Sequence, residues 1–132
     1  MGTDTDTSVI VPGIAADSHP ARGMRLLLQF DNRERLVDVR HSSITIGRAE
    51  NNDIVMKGHL ISRVHARIEI SHNRFIMLLD QSTNGTFVQT ADGDELFVRR
   101  DSLQIRGRGM IGLGRVPERA SPHTISFTCE EI

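Results

Sequence analysis

From Met24 onward, apolar residues recur at every second position in short runs, and turn-forming residues stand between the runs. In 64–70, Val64, Ala66, Ile68 and Ile70 share one parity, while His65, Arg67 and Glu69 share the other. That period of two belongs to a half-buried strand. The same reading places strands at 24–30, 34–40, 43–48, 53–56, 64–71, 74–80, 85–90, 94–99, 102–106, 109–113 and 123–129. Asp31-Asn32, Asn51-Asn52, His72-Asn73, Asn84-Gly85 and Asp92-Gly93 supply turns between them. About eleven short strands with no convincing helix predict an all-β domain, an antiparallel sandwich or barrel.

The alternation starts only at Met24. Residues 1–23 mix Thr, Asp, Gly and Pro without sustained periodicity, the composition of a flexible tail or linker. Val9-Ile10-Val11 is an apolar island within it, a candidate docking strand. The chain of 132 residues suits one domain with a real core, assigned to 24–130.

Charge narrows the function classes. Sixteen Lys+Arg stand against 17 Asp+Glu, a formal net charge of -1. This balance argues against general binding to nucleic acid or an acidic membrane, which needs a positive field. Five Phe with no Trp or Tyr make a poor stacking platform for single-stranded nucleic acid. Lys57 is the only lysine, so the cations are almost all arginine, the residue suited to a two-pronged grip on carboxylate or phosphate. Cys129 is the only cysteine, which rules out an intrachain disulfide. No apolar run approaches the ~20 residues of a membrane span, and the start carries no secretory pattern. The expected setting is the cytoplasm.

Several motifs fail on their surroundings. Gly107-Arg-Gly109-Met-Ile-Gly112 has the spacing of a dinucleotide fingerprint. That fingerprint needs a following helix whose N-terminus holds the pyrophosphate, and Leu113-Gly114-Arg115-Val116-Pro117 cannot start one. Glycines in a bent strand are the reading kept. Ser62 and His65 are offset by three, which puts their side chains on opposite faces if a strand began at Ser62, and no third residue is evident to orient the imidazole. No catalytic residue is assigned, and the chain is not expected to be an enzyme. The six histidines lie scattered, none at zinc-ligand spacing, and neither metal nor cofactor is expected.

Three segments at strand ends remain: Gly47-Arg48, Ser62-Arg63, and Ser82-Thr83-Asn84-Gly85-Thr86. Loops of a sandwich cluster at its two ends, so three such junctions can meet. They combine guanidinium groups, hydroxyls and an amide, without a carboxylate. That is chemistry for a compact anion. A phosphate monoester, with three acceptor oxygens and a charge of about -1.5 to -2, fits best.

Gly47-Arg48, Asn52-Asp53-Ile54, Ser62-Arg63-x-His65-Ala66 and Thr83-Asn84-Gly85-Thr86, in that order, resemble the forkhead-associated (FHA) domain over about residues 24–130. The resemblance implies an eleven-stranded antiparallel β-sandwich that binds phosphothreonine peptides through loops at one end, in signalling. It implies that Arg48 pairs with the phosphate, Ser62 hydrogen-bonds it and Arg63 adds a contact. Thr83 would lie against phosphate and peptide, and Asn84 would bond the peptide backbone. Gly47, His65 and Gly85 would be structural: a tight backbone position, a buried loop brace and a turn. His59-Leu60-Ile61 would favour an apolar residue three positions after the phosphothreonine.

Two other readings stand beside it. One is an FHA fold that binds an unphosphorylated partner or a second copy. In the other, the chain is the regulatory part of a larger enzyme. The segment "GRGMIGLGRVP…HTISFTCEE" is similar to the end of FHA modules appended to bacterial class III nucleotide cyclases, although no paired metal-binding carboxylate motif is present. Thr3, Thr5 and Thr7, among Asp4 and Asp6, offer a candidate ligand within the chain itself once phosphorylated.

Overall fold

The structure, a computed structural model, describes residues 23–132. The tail assigned to 1–23, with its Val9–Val11 island and the three threonines, lies outside the described residues except for Gly23. Eleven strands follow: β1 (Met24–Phe30), β2 (Arg33–Val37), β3 (Ser43–Gly47), β4 (Ile54–Val55), β5 (Ala66–Ser71), β6 (Phe75–Asp80), β7 (Thr86–Thr90), β8 (Glu95–Val98), β9 (Ser102–Ile105), β10 (Arg108–Leu113) and β11 (Thr124–Glu131). They form a five-stranded sheet, ordered β9-β6-β5-β3-β4, and a six-stranded sheet, ordered β2-β1-β11-β10-β7-β8.

Inward residues of both sheets make one core. Ile44, Ile46, Ala66, Ile68, Ile76 and Leu78 of the first face Leu26, Leu28, Ile111, Leu113, Ile125 and Phe127 of the second, and all are buried. Each such large side chain contributes about 1.5–3 kcal/mol relative to exposure. The turn between β1 and β2 has two residues, Asp31 and Asn32, with φ of 49° and 60°. Two positive φ values match the right-handed twist of a tight hairpin, and Asn and Asp tolerate them best.

Beyond strand ends that shift by one to three residues, as where 34–40 becomes Arg33–Val37, the structure departs from the sequence reading in three places. The sheets are antiparallel except at β4, whose Ile54 pairs with Ile46 of β3 in parallel. β4 is a two-residue edge strand that only completes the border of the sheet. Second, the Val64–Ile70 alternation begins two residues late: Val64 is exposed, His65 is fully buried, and the strand starts at Ala66. Third, Asn84-Gly85 is not a turn between paired strands, since β6 and β7 belong to different sheets and residues 81–85 cross between them. Gly109 and Gly112 lie within β10, and Gly107 stands just before it at a φ of 64°.

Candidate functional site

Register aligns the three singled-out segments. Ile46 of β3 pairs with Ala66 of β5, and Ala66 pairs with Asp80 of β6. The end of β3, the start of β5 and the end of β6 therefore lie in one row. Residues 48–53, 56–65 and 81–85 leave the five-stranded sheet from the same edge of that row.

Hydrogen bonds then join the segments. The Arg48 and Ala49 N–H groups donate to the Ser62 and Arg63 carbonyls at 3.0 and 3.1 Å. Asn52 braces the junction, its Nδ2 donating to Ala49 O at 2.8 Å and Arg63 O at 2.7 Å. Gly47 sits so close to this pair that a Cβ would lie 2.2 Å from the Arg63 carbonyl oxygen. Any side chain there would push the two segments apart. On the other side, the Thr83 N–H donates to Ser62 Oγ at 3.1 Å, and Asn84 Nδ2 donates to Leu60 O at 3.1 Å.

The exposed groups are oriented by these bonds. Arg48 gives its Nε–H to Ile61 O at 2.9 Å, which fixes the plane of the guanidinium and leaves the two terminal nitrogens free among the described residues. Ser62 Oγ accepts from Thr83, so its own hydrogen remains to be donated. Asn84 keeps its carbonyl oxygen and a second amide hydrogen. Arg63 presents its side chain to solvent and uses only its carbonyl within the site. Neither Arg48 nor Arg63 forms an ion pair among the described residues. Ile61, by contrast, is part of the core, which leaves Leu60 as the apolar side chain of that segment at the surface.

A buried polar layer lies beneath. His65 Nδ1 accepts the Ser62 N–H at 3.0 Å, so the ring proton sits on Nε2, which donates to Gly85 O at 2.8 Å. Burial holds the imidazole below the ordinary histidine range, against the Gly85 carbonyl and the Asp80 carboxylate 3.8 Å away. His65 is thus a neutral clamp between 62 and 85. It does have orienting partners, unlike the sequence reading, but its Nδ1 is occupied by a backbone N–H and cannot take a proton from the Ser62 hydroxyl. Gly85 has φ of 87°, with the Phe97 ring 2.3 Å from where a Cβ would be. Its N–H donates to Ser82 Oγ at 2.7 Å.

Asp80 and Ser82 organise this layer, and sequence reading missed both roles. Asp80 Oδ1 accepts the Ser82 and Arg100 N–H groups, each at 2.9 Å. Its Oδ2 accepts the Ser82 and Thr86 hydroxyls at 2.8 and 2.6 Å. Burial pushes this carboxyl up, but the bonds from Thr86, Arg100 and Ser82 outweigh it and hold Asp80 below the usual carboxylate range. The signal was available: Asp80 shares parity with Ile76 and Leu78, the core phase of β6. Arg99 was also missed; its Nε–H donates to Thr83 O at 2.7 Å.

No group of three or more His, Cys, Asp or Glu is placed to hold a metal ion among the described residues. Burial pushes the half-buried Cys129 thiol up to about 11, so it is not a thiolate at neutral pH. Among the described residues no helix is long and apolar enough to cross a membrane.

Residues 44–106 match the family model described as the FHA domain. Similar solved structures include the FHA-1 domain of Mycobacterium tuberculosis Rv1747, at 18% identity and a TM-score of 0.61 over 81% of this chain and 97% of that one. The FHA domain of CT664 from Chlamydia trachomatis is similar at 23% identity and a TM-score of 0.57, over 80% and 95% of the two chains. The MEK1 FHA domain in complex with a HOP1 phosphothreonine peptide is similar at 20% identity and a TM-score of 0.59, over 78% and 94%. A comparison with curated protein sequences returns no match.

Proposed function

We propose that this chain, which carries an FHA domain, is a phosphothreonine-peptide recognition module that brings proteins together in response to phosphorylation. The observation that carries the reading is the joined surface at the end of the sandwich. Arg48, Ser62 and Thr83 come from three segments, are linked by hydrogen bonds, and keep outward donors unspent. In this reading the two terminal nitrogens of Arg48 grip the phosphate, the Ser62 hydroxyl donates to a third oxygen and Arg63 supplies a further charge. Thr83 packs against the phosphothreonine, and Asn84 pairs with the peptide backbone. Because the Arg48 fork is already held by Ile61, little side-chain freedom is lost on binding. Gly47, His65 and Gly85 keep the three segments in register. The module acts by recruitment without catalysis, in the cytoplasm.

A phosphothreonine peptide library, presented beside its unphosphorylated counterpart, tests this. Retention of phosphorylated peptides alone supports the reading. Equal retention of both favours an unmodified partner, and the proposal then fails.

The chain's own tail is a second ligand under the same reading. Thr3, Thr5 and Thr7 lie 16 to 20 residues before Gly23 in the sequence, and attachment through so short a stretch gives an effective concentration up to the millimolar range. A phosphorylated tail would then compete with ligands of micromolar affinity. Equal affinity for external peptide in the phosphorylated full chain and in a chain starting at Arg22 would rule out this competition.

A further inference from the structure

We propose that Arg99 is a specificity-determining residue of this surface. It acts as a second anion-binding group that reads an acidic or phosphorylated residue flanking the phosphothreonine. The inference rests on the phosphothreonine reading above and adds a residue from outside the three segments that define it.

A continuous line of hydrogen bonds crosses this surface. Arg48 N–H donates to Ser62 O at 3.0 Å, Thr83 N–H to Ser62 Oγ at 3.1 Å, and Arg99 Nε–H to Thr83 O at 2.7 Å. Four residues from four separate stretches of chain are therefore strung across one surface, with a guanidinium at each end. Both are anchored alike. Each gives its Nε–H to a backbone carbonyl, Ile61 for Arg48 and Thr83 for Arg99. The remaining edge of each fork, two terminal nitrogens, points to no partner among the described residues. That edge is the one suited to a carboxylate or phosphate.

Other arginines show what a satisfied one looks like here. Arg25 and Arg35 sit beside Glu130 and Asp53. Arg100, next in sequence, is tied to the buried layer through both backbone and side chain, its N–H bonding Asp80 Oδ1 at 2.9 Å and its Nε–H bonding Ser82 O at 3.2 Å, whereas Arg99 bonds the outer Thr83 carbonyl. Asp101 is the nearest carboxylate in sequence, and it accepts the Ser102 N–H at 2.8 Å without pairing with Arg99. Arg99 is thus an exposed cation held at the candidate site without a counter-charge among the described residues.

Its place in the fold leaves room for a ligand. Arg99 follows β8, the edge strand of the six-stranded sheet, so no further strand of the described residues covers that side. Phe97, two residues earlier, is 53% exposed and pairs with Phe87 at a centroid distance of 4.7 Å. The Phe97 ring also lies against Gly85, in the same segment as Thr83. A peptide leaving the Ser62–Thr83 region toward β8 meets a guanidinium beside an aromatic surface, which favours an acidic residue over a basic one.

The test measures affinity for a phosphothreonine peptide with alanine flanks and for a series in which one Asp is moved through the flanking positions. At the best position, Asp is then replaced by phosphoserine to separate the two anion sources. Wild-type protein should gain about fivefold with Asp at one or two positions on one side only, and more with phosphoserine. The gain should shrink with added salt, because Arg99 is exposed. Arg99→Gln should flatten the series, and Arg99→Lys should keep part of the gain, having charge but no fork. An unchanged acidic preference in Arg99→Gln would overturn the proposal. So would a wild-type protein that binds the alanine-flanked peptide but ignores Asp at every position. Both outcomes leave the phosphothreonine reading intact. Failure of every phosphothreonine peptide to bind would overturn both.

Discussion

Asp80→Asn removes one charge and almost no volume from the buried layer under the Ser82–Thr86 segment. In the native layer, Oδ1 accepts two backbone N–H groups, from Ser82 and Arg100, and Oδ2 accepts two hydroxyls, from Ser82 and Thr86. An asparagine has one acceptor oxygen. The backbone donors cannot reverse, so that oxygen must stay at the Oδ1 position and the amide NH2 must face the hydroxyls. Thr86 Oγ1 can rotate to accept. Ser82 Oγ already accepts the Gly85 N–H and has one lone pair left. The network closes again, but its bonds lose their charge. Bonds to a charged group contribute about 1.5–3 kcal/mol net against about 0.5–1.5 for neutral ones, a difference of about 1 kcal/mol per bond, and because the four bonds share a single charge and are not additive the loss is put at about 2 kcal/mol or more. Asp80→Ala leaves the same donors without an acceptor and should cost about 4 kcal/mol or more. Urea unfolding at neutral pH reads both as midpoint shifts at constant slope. The sign of the pH dependence follows from the depressed carboxyl. Its stabilisation is complete above the unfolded pKa of about 4 and is lost as pH falls through the lower folded value. The gap between wild type and Asp80→Asn should close in that range. An Asp80→Asn protein within about 0.5 kcal/mol of wild type, or an Asp80→Ala protein no worse than Asp80→Asn, would refute the network argument.

Arg48→Ala should fold normally and lose about 30-fold or more in phosphothreonine-peptide affinity, corresponding to roughly 2–4 kcal/mol for a charged two-pronged contact. Calorimetric titration checks it, with Arg48→Lys recovering part of the loss. Gly47→Ala should lower stability by about 2 kcal/mol or more and weaken peptide binding as well, because its Cβ meets the Arg63 carbonyl, which is backbone and cannot swing aside. Unfolding and binding measured on the same sample test the coupling. Wild-type stability should fall as pH drops below about 6.5, since the unfolded chain then protonates a histidine that the folded chain keeps neutral at position 65. His65→Gln should have a shallower slope between pH 7 and 5, whatever its absolute stability. Peptide affinity should decline over the same range, as the phosphate loses its second charge near pH 6.

The period of two and the turn residues made the strands legible, because a half-buried sheet leaves that mark on every run. The limits were also physical. Parity was extended to Val64 and His65, but a strand's phase holds only while its ladder continues. At Ser62–His65 the imidazole bonds the Ser62 N–H and the Gly85 carbonyl, and the chain turns before the ladder begins. Asn84-Gly85 looks like a hairpin because positive φ requires the same residues whether the next strand pairs with the last or crosses to the other sheet. Only the partner strands distinguish these cases, and β7 pairs with β8 and β10, both later in the chain, and not with β6. Asp80 was readable as a core-phase carboxylate, and such a residue implies donors around it. Three of its four donors come from Ser82 and Thr86, within the segment already singled out. Arg99 left no local mark. It reaches the candidate site through one side-chain bond to the Thr83 carbonyl, sixteen residues back. A residue that joins a site only through the return of the chain carries no spacing signal, so its role became visible only once β8 was seen at the sheet edge beside the crossing segment.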